Sequence, residues 1–251
     1  MKCIQYFFAV SLLIVFAYVG ASAYPQPLFS HHTRYQNYEI WSDRPIPPQI
    51  AQVLDDANRR LHTSELYGKD GTYKIFFCND SWRLWFYGHL LSAQVGGVAD
   101  MVLTRNIYIR ASDIASNRIY PPGPGPIADA GQRTLAYFIA HEAAHIMVSR
   151  QFGRLAVVRD PQWLLEGYAD YIGKGGDFDF DENYRLFKAD SPLLDFQRSG
   201  LYRGFHLRVS LLLDKRGLSV RQVFANPPGW RELSELLKQR TFALPVPASP
   251  A

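Results

Sequence analysis

The stretch Thr134 to Arg150, TLAYFIAHEAAHIMVSR, limits what this chain can become more than any other part of it. Leu135, Phe138, Ile139, Ile146, Met147 and Val148 predict a helix with apolar flanks, and Ala143 and Ala144 leave room beside the histidines. His141 and His145 are four apart, which on a helix puts them about 40° apart around the axis and about 6 Å apart along it. Two imidazoles so placed can share one metal ion. Glu142 lies about 100° round from His141, where its carboxylate can reach a water on that metal rather than the metal itself. The expectation is a buried helix with a polar notch. A helix with two surface histidines and an exposed glutamate is the plainer alternative.

His-Glu-x-x-His supplies two zinc ligands and a general base, and a catalytic zinc needs a third protein ligand with a fourth position left for water. Glu166, in WLLEGYADY (Trp163 to Tyr171), follows His145 by 21 residues, enough for one helix to end and a second to lie against it. Gly153 ends the first helix, and Asp160 with Pro161 opens the second. Glu166 and Asp170 are four apart and share a face. Glu166 can then bind the metal while Asp170 accepts a hydrogen bond from the outer nitrogen of a ligand histidine.

HEAAH followed by WLLEGYADY resembles the gluzincin metallopeptidases, and the WLxEGxAxY wording is similar to their aminopeptidase-like branch. The resemblance covers Thr134 to Gly173. It implies zinc held by His141, His145 and Glu166, Glu142 as general base, Asp170 as the partner of His141, and a peptide or protein as substrate. The Gly-x-Met-Glu-Asn pattern of the aminopeptidases is absent: Val95 to Asp100 reads VGGVAD, with Asp100 as a stand-in for the missing acid. Gluzincins present an edge strand beside the metal, to which a peptide can add as a further strand. Asn106 to Arg110 is the candidate for that edge, with an ordinary sheet strand as the alternative. Tyr202 and His206, four apart on an expected helix from Leu201 to Leu213, are candidate donors to the oxyanion of a tetrahedral intermediate. In the aminopeptidase-like branch a Tyr precedes a Gly-Phe pair; here Tyr202 stands one position closer to Gly204-Phe205. Otherwise both are residues of an amphipathic wall.

Residues 1–23 read as a secretory signal: Lys2, an apolar run from Ile4 to Val19, and Ala21-Ser22-Ala23 as a small-residue cleavage site. An uncleaved membrane anchor is the alternative. Either way the rest of the chain is expected outside the cytoplasm, secreted or periplasmic, and at a membrane only if this segment stays. Cleavage removes Cys3 and leaves Cys78, expected as a small buried hydrophobe. Residues 24–46, rich in Pro, Tyr, His and Arg, are expected as an extended arm, and His31-His32 within them as a polar surface pair. One domain is expected over 47–240, and a Pro/Ala-rich tail over 241–251. Within the domain the spacing predicts a helix from Ile50 to Leu66 and a strand from Tyr73 to Cys78. A net charge of +4, with no basic block interleaved by aromatics, argues against a nucleic-acid partner.

The expected fold is α+β: a zincin-like, thermolysin-like catalytic domain with a mainly antiparallel sheet, the HEAAH helix beneath it, and a helical C-terminal lobe carrying Glu166 and Tyr202. The expected chemistry is zinc-dependent peptide-bond hydrolysis. A catalytically inactive secreted zinc-containing binding module is the alternative, against which the intact Glu142 speaks, since a structural zinc site needs no base and prefers four closed ligands.

Overall fold

A computed structural model of the chain describes residues 2–68, 71–88 and 94–239. The expected tail, 241–251, lies outside the described residues. The first helix, α1 (Lys2–Ala23), contains a segment, Gln5–Ala23, long and apolar enough to cross a membrane, and almost none of it is buried against the rest of the protein. A secretory signal has the same length and composition. Toward its end the Tyr18 hydroxyl donates to the Phe86 carbonyl at 3.1 Å.

Strands β1 (His31–Tyr35) and β2 (Tyr38–Ser42) form a hairpin turned by Gln36 and Asn37, with Gln36 in the left-handed region at φ 48°. Residues 24–46 are therefore not an extended arm but two strands of the main sheet. Their alternation of Tyr38 and Ile40 against Trp41 is buried on both faces, so it does not read as an amphipathic strand. Helix α2 (Ile50–Leu61) then crosses to β3 (Tyr73–Cys78), and α3 (Ser81–Tyr87) to β4 (Gly97–Ala99) and β5 (Asn106–Arg110). Helix α2 stops at Leu61, short of the expected Leu66, as Thr63 and Ser64 fold back in a turn onto Arg60 and Leu61.

The strand order is β1-β2-β3-β5-β4. Pairs β2·β3 and β3·β5 are parallel, while the outer pairs β1·β2 and β5·β4 are antiparallel. The expected mainly antiparallel sheet is thus a mixed one. Helical crossovers such as α2 return the chain in the same direction, which makes the joined strands parallel neighbours. Asn106–Arg110, the expected edge, lies inside the sheet, and the edge is β4. A small antiparallel ribbon, β6 (Ser112–Asp113) with β7 (Arg118–Ile119), follows.

The register assigns the two faces. Ile40, Ile75 and Ile107 stand side by side on one, with Tyr38, Tyr73, Phe77 and Ile109, and meet α2 and the long helix α4 (Leu135–Phe152). Trp41, Phe76 and Tyr108 line the other, closed by Phe29 and by Leu84 and Tyr87 of α3. Each such side chain contributes about 1.5–3 kcal/mol on burial. Cys78 belongs to this second face, and burial pushes its thiol well above the usual range.

Helix α4 starts at Thr134, whose Oγ1 accepts from the Tyr137 N–H at 3.2 Å, and ends at Gly153 with φ 96°. After the short α5 (Ala156–Arg159), Pro161 opens α6 (Gln162–Lys174), which runs back along α4. Helix α7 (Phe180–Lys188) and the short α8 (Phe196–Ser199) lead to α9 (Arg203–Ser210), which packs along α6, with α7 against α9; α9 continues through a π turn, Leu211–Lys215. Helices α10 (Val220–Ala225) and α11 (Trp230–Gln239) complete this lobe.

Candidate metal centre

The sequence puts His141 and His145 on successive turns of α4, and the antiparallel pairing with α6 brings Glu166 opposite both. Glu166 Oε2 lies 3.3 Å from His141 Nε2 and 3.7 Å from His145 Nε2. One ligand atom from each of the three residues lies within 4.8 Å of the others, the only such group of ligating side chains among the described residues. The imidazoles meet edge to face with centroids 5.0 Å apart. Both are buried, whereas Glu166 is partly open.

The electrostatics follow from this crowding. Burial raises the Glu166 pKa, but the two imidazoles outweigh it and hold the carboxyl well below its ordinary range. Burial also works against a charged His145, and there the Glu166 and Glu142 carboxylates prevail and raise its pKa. The Nδ1 atoms of both histidines are buried with no hydrogen-bond partner among the described residues. Without a cation the Nε2–H groups face the Glu166 carboxylate and lower its pKa; with the proton of each neutral ring on Nδ1, both Nε2 lone pairs would face the same carboxylate oxygen. Lone pairs converging on a carboxylate call for a cation between them, and two imidazole nitrogens with one carboxylate are a donor set that suits zinc. The residues fit the ion.

Glu142 is buried between this group and β4. Burial raises its pKa, and the histidines and the Ala99 N–H, which donates to its carboxylate, moderate the rise. Gly97 permits the approach: a Cβ there would stand 2.8 Å from Glu142 Cγ and 2.9 Å from Ile109 Cδ1. The Arg110 N–H donates to the Gly96 carbonyl and the Asp100 N–H to the Asn106 carbonyl. The alternation of an antiparallel ladder then turns the N–H and C=O of Gly97 and Ala99 away from β5, toward Glu142. This edge was missed in the sequence because three residues, two of them Gly and Ala, carry no strand signal. The Gly96-Gly97 pair was its one visible trace.

Tyr202, at the start of α9, stacks on the His141 ring with centroids 5.5 Å apart, with its hydroxyl near the Glu166 carboxylate. Burial first, then the Glu166 charge, push its pKa far above the usual value. His206 sits elsewhere. It is buried, its Nδ1 lies 2.8 Å from Asp170 Oδ2, and Phe178 covers its ring at 3.6 Å between centroids. Burial lowers its pKa against the opposing pull of Asp170. His206 is therefore not placed to donate to an oxyanion, because its ring is spent on Asp170, one turn away from His141, His145 and Glu166.

Asp170 also departs from expectation. It does not bond His141; Tyr137 Oη donates to its Oδ1 at 2.5 Å, and Lys174 Nζ lies 3.6 Å from Oδ2. The cause is the direction of the helices. One turn forward on α6 is one turn back on α4, so Asp170 stands opposite Tyr137, four residues before His141. Tyr137 in turn lies against the His141 ring, with centroids 5.7 Å apart. Burial raises the Asp170 pKa, but His206, Lys174 and Tyr137 outweigh it and leave it well below the carboxylate range. Asp100, the stand-in acid, is likewise engaged: its carboxylate accepts from the backbone N–H groups of Val102, Leu103 and Thr104 and shapes the turn after β4. The chain matches no protein-family model, no curated protein and no solved structure.

Proposed function

We propose that this chain is a zinc-dependent peptide-bond hydrolase of the gluzincin type. The observation that carries the reading is the convergence of His141, His145 and Glu166 on one point, with the buried Glu142 carboxylate between that point and the backbone edge of β4. A zinc ion held by these three side chains supplies Lewis acidity toward a carbonyl oxygen and makes a water easier to deprotonate. Glu142 takes the proton of the attacking water on its carboxylate. The same carboxylate then delivers the proton to the leaving amine nitrogen. The Tyr202 hydroxyl, stacked beside His141, turns its single proton from Glu166 to the oxygen that gains negative charge. The peptide is aligned by adding to β4 through the N–H and C=O of Gly97 and the Ala99 carbonyl. The apolar N-terminal helix supports export, either as a cleaved signal or as an anchor.

Elemental analysis of the purified chain beside His141→Ala tests the site: about one zinc per chain is expected, and none in the variant. Glu142→Gln is expected to keep the zinc and to lose peptide hydrolysis by about 10²–10⁴-fold. Zinc-loaded protein that cleaves no peptide would replace this reading with that of an inactive zinc-containing binding module. Absence of zinc would remove both.

A further inference from the structure

Arg133 stands immediately before Thr134, the residue that caps the metal-ligand helix, and its guanidinium lies over the Phe138 ring at 5.1 Å and beside the Tyr137 ring at 5.8 Å. Its charge reaches the hydroxyls of Tyr137 and Tyr202, the two phenols that flank His141. The group is half-buried, and its Nε is buried with no hydrogen-bond acceptor among the described residues. No described carboxylate pairs with it. The nearest acid in sequence, Asp129, is committed to Arg203, which it holds through both carboxylate oxygens at 3.1 and 3.2 Å, with Glu182 alongside. Two aromatic faces offset part of the cost of keeping a cation there, but they leave the planar fork of donors unused.

The position of this fork relative to a peptide on β4 follows from the direction of the strand. A Cβ at Gly96 would fall on the Phe138 ring, Gly97 abuts Glu142, and further on the Met101 carbonyl accepts from Ser149 Oγ at 2.8 Å. Strand β4 and the turn after it therefore run in the same sense as α4. Antiparallel pairing is the more stable way for a strand to add to an edge. A peptide bound that way keeps its N-terminal part toward Ala99 and carries its C-terminal part past Gly96, over Phe138, toward Arg133.

We infer that Arg133 binds a carboxylate on the C-terminal side of the bond that is cut, and that the preferred substrates are peptides with an acidic side chain or a free C terminus there. The inference rests on the hydrolase reading for the site and adds the substrate class. A guanidinium and a carboxylate pair through two parallel N–H···O bonds, which neither an amide nor a lysine reproduces. The same chemistry comes from two sources, a Glu or Asp side chain or the terminal carboxylate, and both are put to the test.

The test measures binding, so that it does not depend on turnover. Four dye-labelled peptides of one apolar sequence are titrated by fluorescence anisotropy onto zinc-loaded full-length protein carrying Glu142→Gln. They carry Glu or Gln near the C terminus, and that terminus is free or amidated. At least one carboxylate peptide is expected to bind about tenfold or more tightly than its neutral match, and the additional change Arg133→Gln to abolish that advantage while leaving the fully neutral peptide unchanged. The pair that shows the advantage identifies the source. Arg133→Glu is expected to turn the preference toward a Lys-containing peptide. Equal affinities across the set, including no binding of any, overturn the inference. So does an advantage that survives Arg133→Gln, which assigns the carboxylate to the metal. Selectivity without hydrolysis by the unaltered protein removes the hydrolase reading alone, and hydrolysis without selectivity removes the Arg133 assignment alone.

Discussion

Helices α4 and α6 enclose two clusters of similar composition. At one level His141 and His145 of α4 meet Glu166 of α6. One turn away Asp170 of α6 meets His206 of α9 and Tyr137 of α4. Each cluster joins histidine to carboxylate in a buried setting, and each carboxyl is held in its charged form. Their surroundings differ. Asp170 has its oxygens filled by Tyr137, His206 and Lys174, under the cover of Phe178. The other cluster leaves both histidine Nδ1 atoms without partners among the described residues, crowds two Nε2 atoms onto one oxygen, and keeps Glu166 partly exposed. The closed cluster holds the helices together, and the open one has donors to spare. A histidine beside a carboxylate therefore indicates a site only where the arrangement leaves bonding capacity unused.

The comparison can be broken most directly at its two carboxylates. Glu166→Ala is expected to abolish zinc binding, read by elemental analysis, and with it all turnover. Asp170→Ala is expected to cost about 3–5 kcal/mol of stability in chemical denaturation, since it strands Lys174 and the His206 ring in the interior, while folded protein keeps its zinc. Loss of metal without loss of stability in Asp170→Ala would reverse the two roles. Tyr202→Phe is expected to lower kcat by about 10²-fold with zinc content unchanged. An unaltered kcat would make Tyr202 a stacking residue for His141 and nothing more.

Smaller effects sharpen the picture. The folded-state pKa of His206 is lowered, so as pH falls through about 6.5 the unfolded chain takes up a proton that the folded one refuses. Stability then declines by at most about 1.4 kcal/mol per pH unit until the folded value is reached. Replacing His206 with Gln, which keeps a donor toward Asp170, is expected to remove that slope between pH 7 and 5. The carboxyl of Asp170 shifts the same way in a lower window: its contribution is full above the ordinary carboxylate pKa and is lost as pH falls through the folded value. The smallest effect is expected on the far face of the sheet, where the buried Cys78 thiol should resist alkylation in native protein at pH 8 and react once unfolded, followed by peptide mapping.

Helix spacing is a local property, and the features that depend on it were legible in the sequence. The i, i+4 placement of His141 and His145, the breaks at Gly153 and Pro161, and the return of Glu166 onto α4 all follow from residues near one another in the chain. Tyr137, one turn before His141, had the same spacing signal and went unused. The partner of Asp170 was not legible, because it depends on which way α6 runs along α4. Nor was the edge of the sheet, because the place of a strand is set by crossovers: α2 and α3 drew β2, β3 and β5 into a parallel centre and left three small residues outside.

By itself the sequence determined the candidate donors on α4 and the candidate base beside them, since a helix fixes the relative positions of residues on its own surface whatever surrounds it. Only the tertiary structure decided which polar groups close on one another and which stay open. That put His206 with Asp170, left Nδ1 of His141 and of His145 unpartnered among the described residues, set β4 beside Glu142, and left the Arg133 guanidinium on Phe138 without a described acid. Hydrogen-bonding capacity left over after folding is a property of every neighbouring element at once, and no spacing along one chain segment records it.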